Sequence, residues 1–305
     1  MNNFIKATEI WIPDAGFTKL SLKNGEYGEN EELESVSQEM TFAYDEGLPG
    51  KAWAQRHPII LTDLEGSYFK RTELVMSLGL TSAIAMPVFA GEYLRAVVVF
   101  FCGSSEAHAG AIEVWRATPD RVHEMELVNG YYGTMEEFEW ISKRIKIMKG
   151  QGLPGKVWKS EAPVMMGDLR ESATFMRSAK AVKEGITTAF GIPAWINPSE
   201  GYTMTFLSAK GTPIARRFEI WKTDHEDGTL HFVDGYSHGE IDLISQYKEV
   251  TFAKEDSLLG KTWKLGRPLL SENFEVAYAP KDCNYVLTLP IIQYGICESV
   301  IAFYY

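Results

Sequence analysis

One seven-residue phrase is written three times at a fixed interval, and that interval sets how the chain can fold. Gly47-Leu48-Pro49-Gly50-Lys51-Ala52-Trp53 recurs as Gly152-Leu153-Pro154-Gly155-Lys156-Val157-Trp158. It recurs again, altered, as Ser257-Leu258-Leu259-Gly260-Lys261-Thr262-Trp263. The second glycine stands at 50, 155 and 260 and the tryptophan at 53, 158 and 263, so both intervals are 105 residues. A constant interval through 305 residues means one module used three times. The unit is longer than the roughly 20–50 residues of a solenoid repeat, so each copy is a small domain with its own core. The expected boundaries are 1–105, 106–211 and 212–305.

Each copy opens on a strand pattern, at residues 7–12, 111–116 and 217–222, with Glu-aliphatic-Trp at the same point: Glu9-Ile10-Trp11, Glu113-Val114-Trp115 and Glu219-Ile220-Trp221. A second strand ends in Asn24-Gly25, Asn129-Gly130 or Asp234-Gly235, pairs that favour left-handed backbone and so end or turn strands. A helical stretch follows, clearest at 135–145, where Phe138, Ile141 and Ile145 share one face. The repeated phrase then predicts a short helix, its proline in the first turn. A short strand comes next, introduced by Pro58, Pro163 or Pro268. In copies one and two a second helix, 69–78 and 175–184, stops at Gly79 or Gly185. Two strands close each module, 82–89 with 93–101 and 188–195 with 202–207. The order predicts an α+β module, one antiparallel sheet carrying helices.

This string of residues resembles the GAF domain, a small sensor fold of signalling proteins. Copy two carries Gly150, Gly152 to Gly155, Lys156, Trp158, Pro163, Asp168, Phe175, Arg177, Ala181, Gly185 and Pro193 at the spacing of that family's signature. Copy one carries nearly the same set, with Gly79-Leu80 and Pro87-Val88 closer to the pattern, and copy three is recognised through the repeat. The resemblance implies three tandem GAF-like (profilin-like) modules, each a central antiparallel sheet with a pocket on one face, roofed by helices. In relatives that pocket holds cyclic nucleotides, bilins, haem, small acids or nothing known, and fold alone does not choose among them.

Three departures from the family shape the expectations. No long helix precedes the first strand, so the sheet face it would cover must be covered otherwise. The run 96–101 is apolar at consecutive positions, which predicts burial on both faces. We therefore expect modules, or a partner chain, to pack against that second face. Secondly, copy three lacks the Phe-x-Arg pair, and its segment 275–284 contains Pro280, so no helix of normal length fits there and its pocket is reduced or open. Thirdly, no output domain is recognisable, so any signal leaves through contacts with a partner protein or by self-association.

Net charge is −11, which disfavours nucleic acid and anionic membrane as partners. Three cysteines, at 102, 283 and 297, are too few and too uneven for a disulfide framework and suit a reducing compartment. The first residues form no basic and apolar leader, and no apolar run reaches the roughly 18–20 residues that span a bilayer. The expected location is the cytoplasm.

The candidate ligand-binding residues are Arg71 and Met76 in module one and Arg177 and Val182 in module two, on the helix that relatives place over the cavity. An arginine there would hold a carboxylate or phosphate through its planar donors; the alternative is a local pair with Asp63 or Asp168. The repeated glycines lack the Gly-Lys-Ser/Thr of a nucleotide loop and set a chain reversal instead. The recurring tryptophans are expected as packing anchors, with ligand stacking the alternative. Cys283 precedes Asn284-Tyr285 rather than the histidine expected beside a bilin cysteine, and no copy holds the several cysteines of a sulfoxide reductase. The six histidines show no metal-ligand spacing. The sequence names no cofactor. The expectation is a non-enzymatic small-molecule-sensing or regulatory protein, and the alternative is an interaction scaffold with filled pockets. Bulky side chains beneath the helices at 69–78 and 175–184 would favour the scaffold.

Overall fold

The computed structural model describes residues 3–103, 109–118, 120, 123–169, 175–195, 200–239, 241–255, 257–272 and 283–305. Module one runs β1 (Ile5–Pro13), β2 (Lys19–Glu26), α1 (Glu31–Glu39), β3 (Thr41–Ala43), α2 (Gly47–Gln55), β4 (Ile59–Leu61), α3 (Thr72–Ser77), β5 (Leu80–Ala90) and β6 (Tyr93–Gly103). Module two repeats this as β7 (Ala109–Ala117), β8 (Glu124–Gly133), α4 (Glu136–Ser142), β9 (Ile147–Met148), α5 (Gly152–Ser160), β10 (Val164–Met166), α6 (Ser178–Lys183), β11 (Ile186–Trp195) and β12 (Gly201–Ala209). Module three has β13 (Arg217–Asp224), β14 (Thr229–Ser237), α7 (Leu243–Tyr247), β15 (Thr251–Ala253), α8 (Leu258–Leu265), β16 (Leu269–Ser271), β17 (Val286–Gln293) and β18 (Ile296–Tyr304). The shortened stretch of module three, at 273–282, lies outside the described residues, and with it the expectation about a helix there.

Each module is one six-stranded antiparallel sheet in the order β3-β2-β1-β6-β5-β4, with the same order in the other two. The three modules are GAF-like in fold, as the sequence resemblance implied. The edge strands β3, β9 and β15 have no counterpart in the sequence reading, because two or three residues are too few to show a strand periodicity. They account for the repeated phrase. A Cβ on Gly50 would stand 2.2 Å from the Ala43 carbonyl oxygen of β3, and on Gly155 2.1 Å from that of Met148. On Gly260 it would stand 2.3 Å from that of Ala253. The short helix lies so close to the edge strand that only a residue without a side chain fits. The first glycine is less strict. Gly47 and Gly152 have φ of +58° and +54°, whereas Ser257 is extended and its hydroxyl caps the helix by accepting the Gly260 N–H at 3.0 Å.

The central strands are buried on both faces, as the run 96–101 predicted. Along β6, Val97, Val99 and Phe101 face their own module's helices, while Ala96, Val98, Phe100 and Cys102 face the other way. Those second faces, from all three sheets, merge into one shared core. Phe100, Phe206 and Phe303, at equivalent places on β6, β12 and β18, meet at its centre: Phe206 lies 6.3 Å from Phe100 and 5.7 Å from Phe303 between ring centroids. Modules pack on modules, so the second face of each sheet is covered from within the chain. Each fully buried phenylalanine contributes about 1.5–3 kcal/mol.

The modules follow one another head to tail in a closed ring. Module two grips module one where Asn129 donates to the Ile60 carbonyl at 2.8 Å and His57 stacks on Tyr202 at 4.6 Å. Module three grips module two where Phe218 stacks on Phe190 at 3.8 Å and Gln293 donates to the Glu161 carbonyl. Module one grips module three where Asn24 donates to the Leu270 carbonyl at 2.8 Å and Arg95 to that of Leu265 at 2.6 Å. Ile60 and Leu270 are equivalent positions, as are Asn24 and Asn129, so the same contact is made around a pseudo-threefold axis.

Two outcomes follow from this geometry. Gly155→Ala, which in an exposed helix would stabilise by about 0.5–1 kcal/mol, should here destabilise by about 1–3 kcal/mol in urea unfolding; a gain in stability would contradict the close approach. Residues 109–209 produced alone should self-associate on size-exclusion chromatography, because Phe190, Phe206 and Met204 lose their cover; a clean monomer would show that the inner face tolerates water.

Candidate functional site

Under α3 of module one the sequence places a carboxylate where water cannot reach it. Glu9, on β1, is fully buried, and Arg71, immediately before α3, is buried with it. The guanidinium grips the carboxylate with both terminal nitrogens, Nη1 to Oε1 at 2.5 Å and Nη2 to Oε2 at 2.8 Å. Ser37 Oγ donates to Oε1 at 2.8 Å, the Trp11 indole to Oε2 at 2.9 Å and the Tyr27 hydroxyl to Oε1 at 3.2 Å. The guanidinium lies among the Trp11, Phe69 and Phe101 rings, 5.3–5.7 Å from their centroids.

Module two repeats the cluster. Arg177 holds Glu113 through Nη1 and, at 2.9 Å, Nη2; Trp115, Tyr132 and Thr205 donate to the same carboxylate at 2.9, 3.0 and 3.0 Å. Burial raises the pKa of Glu113, but the adjacent Arg177 charge and the donated hydrogen bonds outweigh it and hold the group below its ordinary 4.5. The carboxylate also adds to the burial that pushes the Tyr132 phenol up.

In module three the cation comes from elsewhere. Arg217 stands two residues before Glu219 on β13, where modules one and two have Ala7 and Ala111. Its Nε lies 2.6 Å from Glu219 Oε1, and both side chains are fully buried. Tyr247 replaces Ser37 and Ser142, accepts from Arg217 at 2.5 Å and donates to Glu219 at 3.0 Å. Tyr304 and Trp221 complete the shell at 3.1 and 2.9 Å. The carboxylate is paired three times, twice from the residue that precedes α3 or α6 and once from its own strand.

The structure places the sequence-expected site residues as follows. Arg71 and Arg177 sit in the core with their terminal donors on Glu9 and Glu113, a pairing different from the local Asp63 or Asp168 partners. Met76 is 45% exposed and Val182 39%, on the outward side of their helices. The four therefore do not converge on one cavity. The space beneath α3 is occupied by Trp11, Phe69, Val75 and Phe101, and that beneath α6 by Phe138, Phe175, Ala181 and Leu207. The tryptophans of β1, β7 and β13 are fully buried, as packing anchors should be, and they also hydrogen-bond the carboxylate. Sequence reasoning saw the Glu-x-Trp repeat without giving its glutamate a role; the threefold recurrence of a charged residue inside an apolar strand was the available signal.

Clefts of ligand size lie between modules. One of about 610 Å³ opens between modules one and three, lined by Lys6, Thr8, Glu26, Asn30, Tyr285 and Tyr305. Another, of about 470 Å³, lies between modules two and three around Thr187, Lys210, Tyr236 and His238. A pit of about 50 Å³ at one end of the axis is framed by Pro87, Pro193 and Pro290.

The remaining chemistry-bearing residues are subdued. Burial pushes the Cys102 thiol up, and Cys297 is pushed up to about 12, chiefly by burial, so both stay protonated. Among the described residues no group of three potential metal ligands occurs, and no helix is long and apolar enough to cross a membrane.

No family model matches the sequence, and neither does any curated protein. Solved structures do match, one module at a time. The GAF domain from A. aeolicus in an inactive state is 20% identical, over 33% of this chain and 60% of that one, with a TM-score of 0.28. The GAF domain of a phosphoenolpyruvate-protein phosphotransferase from Coxiella burnetii is 22% identical, over 33% and 61%, at 0.26. The free methionine-R-sulfoxide reductase from Neisseria meningitidis, solved with its substrate, is 15% identical, over 32% and 52%, at 0.26. This chain thus spans between 52% and 61% of the length of those three, and the likeness is one of fold.

Replacing Glu113 with Gln leaves Arg177 buried without its counter-charge and should destabilise by about 3–5 kcal/mol at neutral pH. A depressed carboxyl pKa stabilises above the unfolded value and loses that contribution as pH falls through the folded one. The gap between wild type and Glu113→Gln in urea unfolding should therefore be full above about pH 5 and shrink below about pH 4. A gap that does not vary with pH would remove the charge from the explanation.

Proposed function

We propose that this protein is a non-enzymatic regulatory protein of the cytoplasm, a rigid three-module scaffold whose intramodule pockets are filled by its own side chains. One observation carries the reading: the space roofed by the pocket helix holds Glu9 with Arg71 and Glu113 with Arg177, packed among aromatic rings. A ligand site needs an open, apolar cavity with a few converging polar groups. Here the polar groups converge on one another. An acid-base or nucleophilic role is equally poorly served, because Glu9 and Glu113 are fully buried and engaged by their donors. The free thiols of Cys102 and Cys297 support a reducing compartment. Regulation by such a scaffold works through its outer surfaces and a partner protein.

A second reading keeps a small-molecule ligand but moves it to the seam between modules one and three. The cleft of about 610 Å³ there is within the usual size of ligand sites. Glu26 lines it, its carboxyl raised by burial against the opposing Gly28 N–H. A ligand with a hydrogen-bond donor or a positive charge facing Glu26 would suit it.

Native mass spectrometry of the protein taken from its own host separates the two. The scaffold reading expects the mass of the chain, 34.3 kDa or a multiple, with no added small molecule. An added mass lost in Glu26→Gln would support the seam cleft. An added mass kept in Glu26→Gln but lost when Phe69 or Phe175 is replaced by Ala would overturn the scaffold reading.

A further inference from the structure

The repeat brings equivalent residues to all three seams, and at one of them a carboxylate stands where the others have a tyrosine. Glu26, Tyr131 and Tyr236 lie in register with Thr8, Ile112 and Phe218, each the residue before the buried glutamate of its module. Tyr131 reaches into module one, where its hydroxyl donates to the Gly103 carbonyl at 3.0 Å and its ring lies 5.5 Å from that of Phe4. Tyr236 lines the cleft shared with module two. Glu26 instead lines the cleft of about 610 Å³ shared with module three. Tyr285 and Tyr305 form the wall from module three, joined where the Tyr305 N–H donates to the Tyr285 carbonyl at 2.9 Å. Two groups on these walls lack what burial demands. Glu26 is half-buried, accepts the Gly28 N–H at 2.8 Å, and is paired with no cation among the described residues. The Tyr305 hydroxyl is buried without a hydrogen-bond partner; Thr8 approaches it without the geometry of a bond. An unsatisfied buried group costs stability, and two that line one cleft call for a partner from outside the chain.

We propose, resting on the seam reading given above, that this cleft binds a small organic ammonium. The Glu26 carboxylate and the Tyr305 hydroxyl accept its N–H donors, its body lies against the tyrosine rings, and it bridges modules one and three. The field in the cleft has the sign for a cation. Glu26 and Glu29 line it against one base, Lys6, whose ammonium is pulled below its ordinary pKa by burial. The Tyr285 phenol is raised by burial, by its hydrogen bond to Glu272 and by the charges of Glu272, Glu26 and Glu34. The Tyr305 phenol is raised by burial and then by the Glu26 charge, so it stays a hydroxyl with lone pairs to offer. Aromatic faces such as those of Tyr285 and Tyr305 attract an organic cation. A bare metal ion is served less well. Ca²⁺ gathers about six to eight oxygens, and among the described residues no group of three potential metal ligands occurs.

Phenethylammonium and butylammonium, with phenethyl alcohol and butanol as neutral controls, test the site by NMR titration of the whole chain. At up to about 20 mM, enough to saturate a site with a Kd of about 1 mM, either amine should shift the backbone amides of 26–30, 284–285 and 305 and the alcohols should not. Glu26→Gln should weaken amine binding about tenfold or more and Tyr305→Phe about 3- to 10-fold, as losing a charged and a neutral hydrogen bond does. Each variant removes a group that the chain alone leaves unsatisfied, so neither should lower the thermal midpoint at pH 7. A carboxyl raised on folding stabilises below its unfolded pKa and loses that contribution as pH rises through the folded one. Glu26→Gln should therefore raise the midpoint by about 1–3 °C at neutral pH, a gain that fades toward about pH 4. Binding lost together with a lowered midpoint in both variants would assign the two groups to the fold and overturn the site, as would shifts that the alcohols reproduce. Should neither amine shift these amides while protein from its host carries a mass that leaves in Glu26→Gln, the organic cation falls and the seam reading stands. With no such mass, both fall.

Discussion

Everything in this molecule depends on covering the second face of an antiparallel sheet. A six-stranded sheet with helices on one side leaves the other side exposed, and here that side carries Val98, Phe100, Met204, Phe206, Ile301 and Phe303. Water on such a surface would offset much of what the module's own core contributes. The chain meets the constraint by repetition. Three copies of one face close on one another, so the apolar surface that would make one module self-associate becomes the interior of three. The head-to-tail arrangement follows, because a contact from one copy to the next closes on itself only when the rotation returns to the start.

With that interior fixed, the outer half of each module was left to specialise. Modules one and two each set a short helix over the core, and the arginine just before it neutralises a buried glutamate. Breaking such a pair is strongly unfavourable, while the pair itself adds little net stability over apolar packing. Its effect is geometric. Five donors around one carboxylate fix the pose of the roof helix against β1, and a fixed roof is suited to presenting a surface.

Much of the fold was legible. The 105-residue interval gave the number of modules, and the unbroken apolar run of β6 announced a strand with two buried faces. The strand and helix placements followed from periodicity and punctuation, to within a few residues. What stayed hidden was relational. Glu9 and Arg71 are 62 residues apart and nothing local links them. Asn24 and Asn129 read as strand ends, which they are, and their cross-module bonds exist only once three sheets are assembled. Edge strands of two or three residues carry no periodicity at all, so the reason for Gly50, Gly155 and Gly260 could not be read before β3, β9 and β15 were seen. Arg217 was invisible as a substitute for Arg71 because the exchange preserves the charge and changes its address.

That change of address separates two things that modules one and two keep tied together. In those modules a substitution in the roof segment that removed the arginine would strand a charge in the core, so the segment's sequence is held hostage to the electrostatics beneath it. In module three the counter-charge rides on the same strand as the carboxylate, and Arg217 balances Glu219 from β13 itself. A substitution on the outer surface of module three accordingly strands no charge in the core, so a new binding specificity could be installed there without first rebuilding the interior.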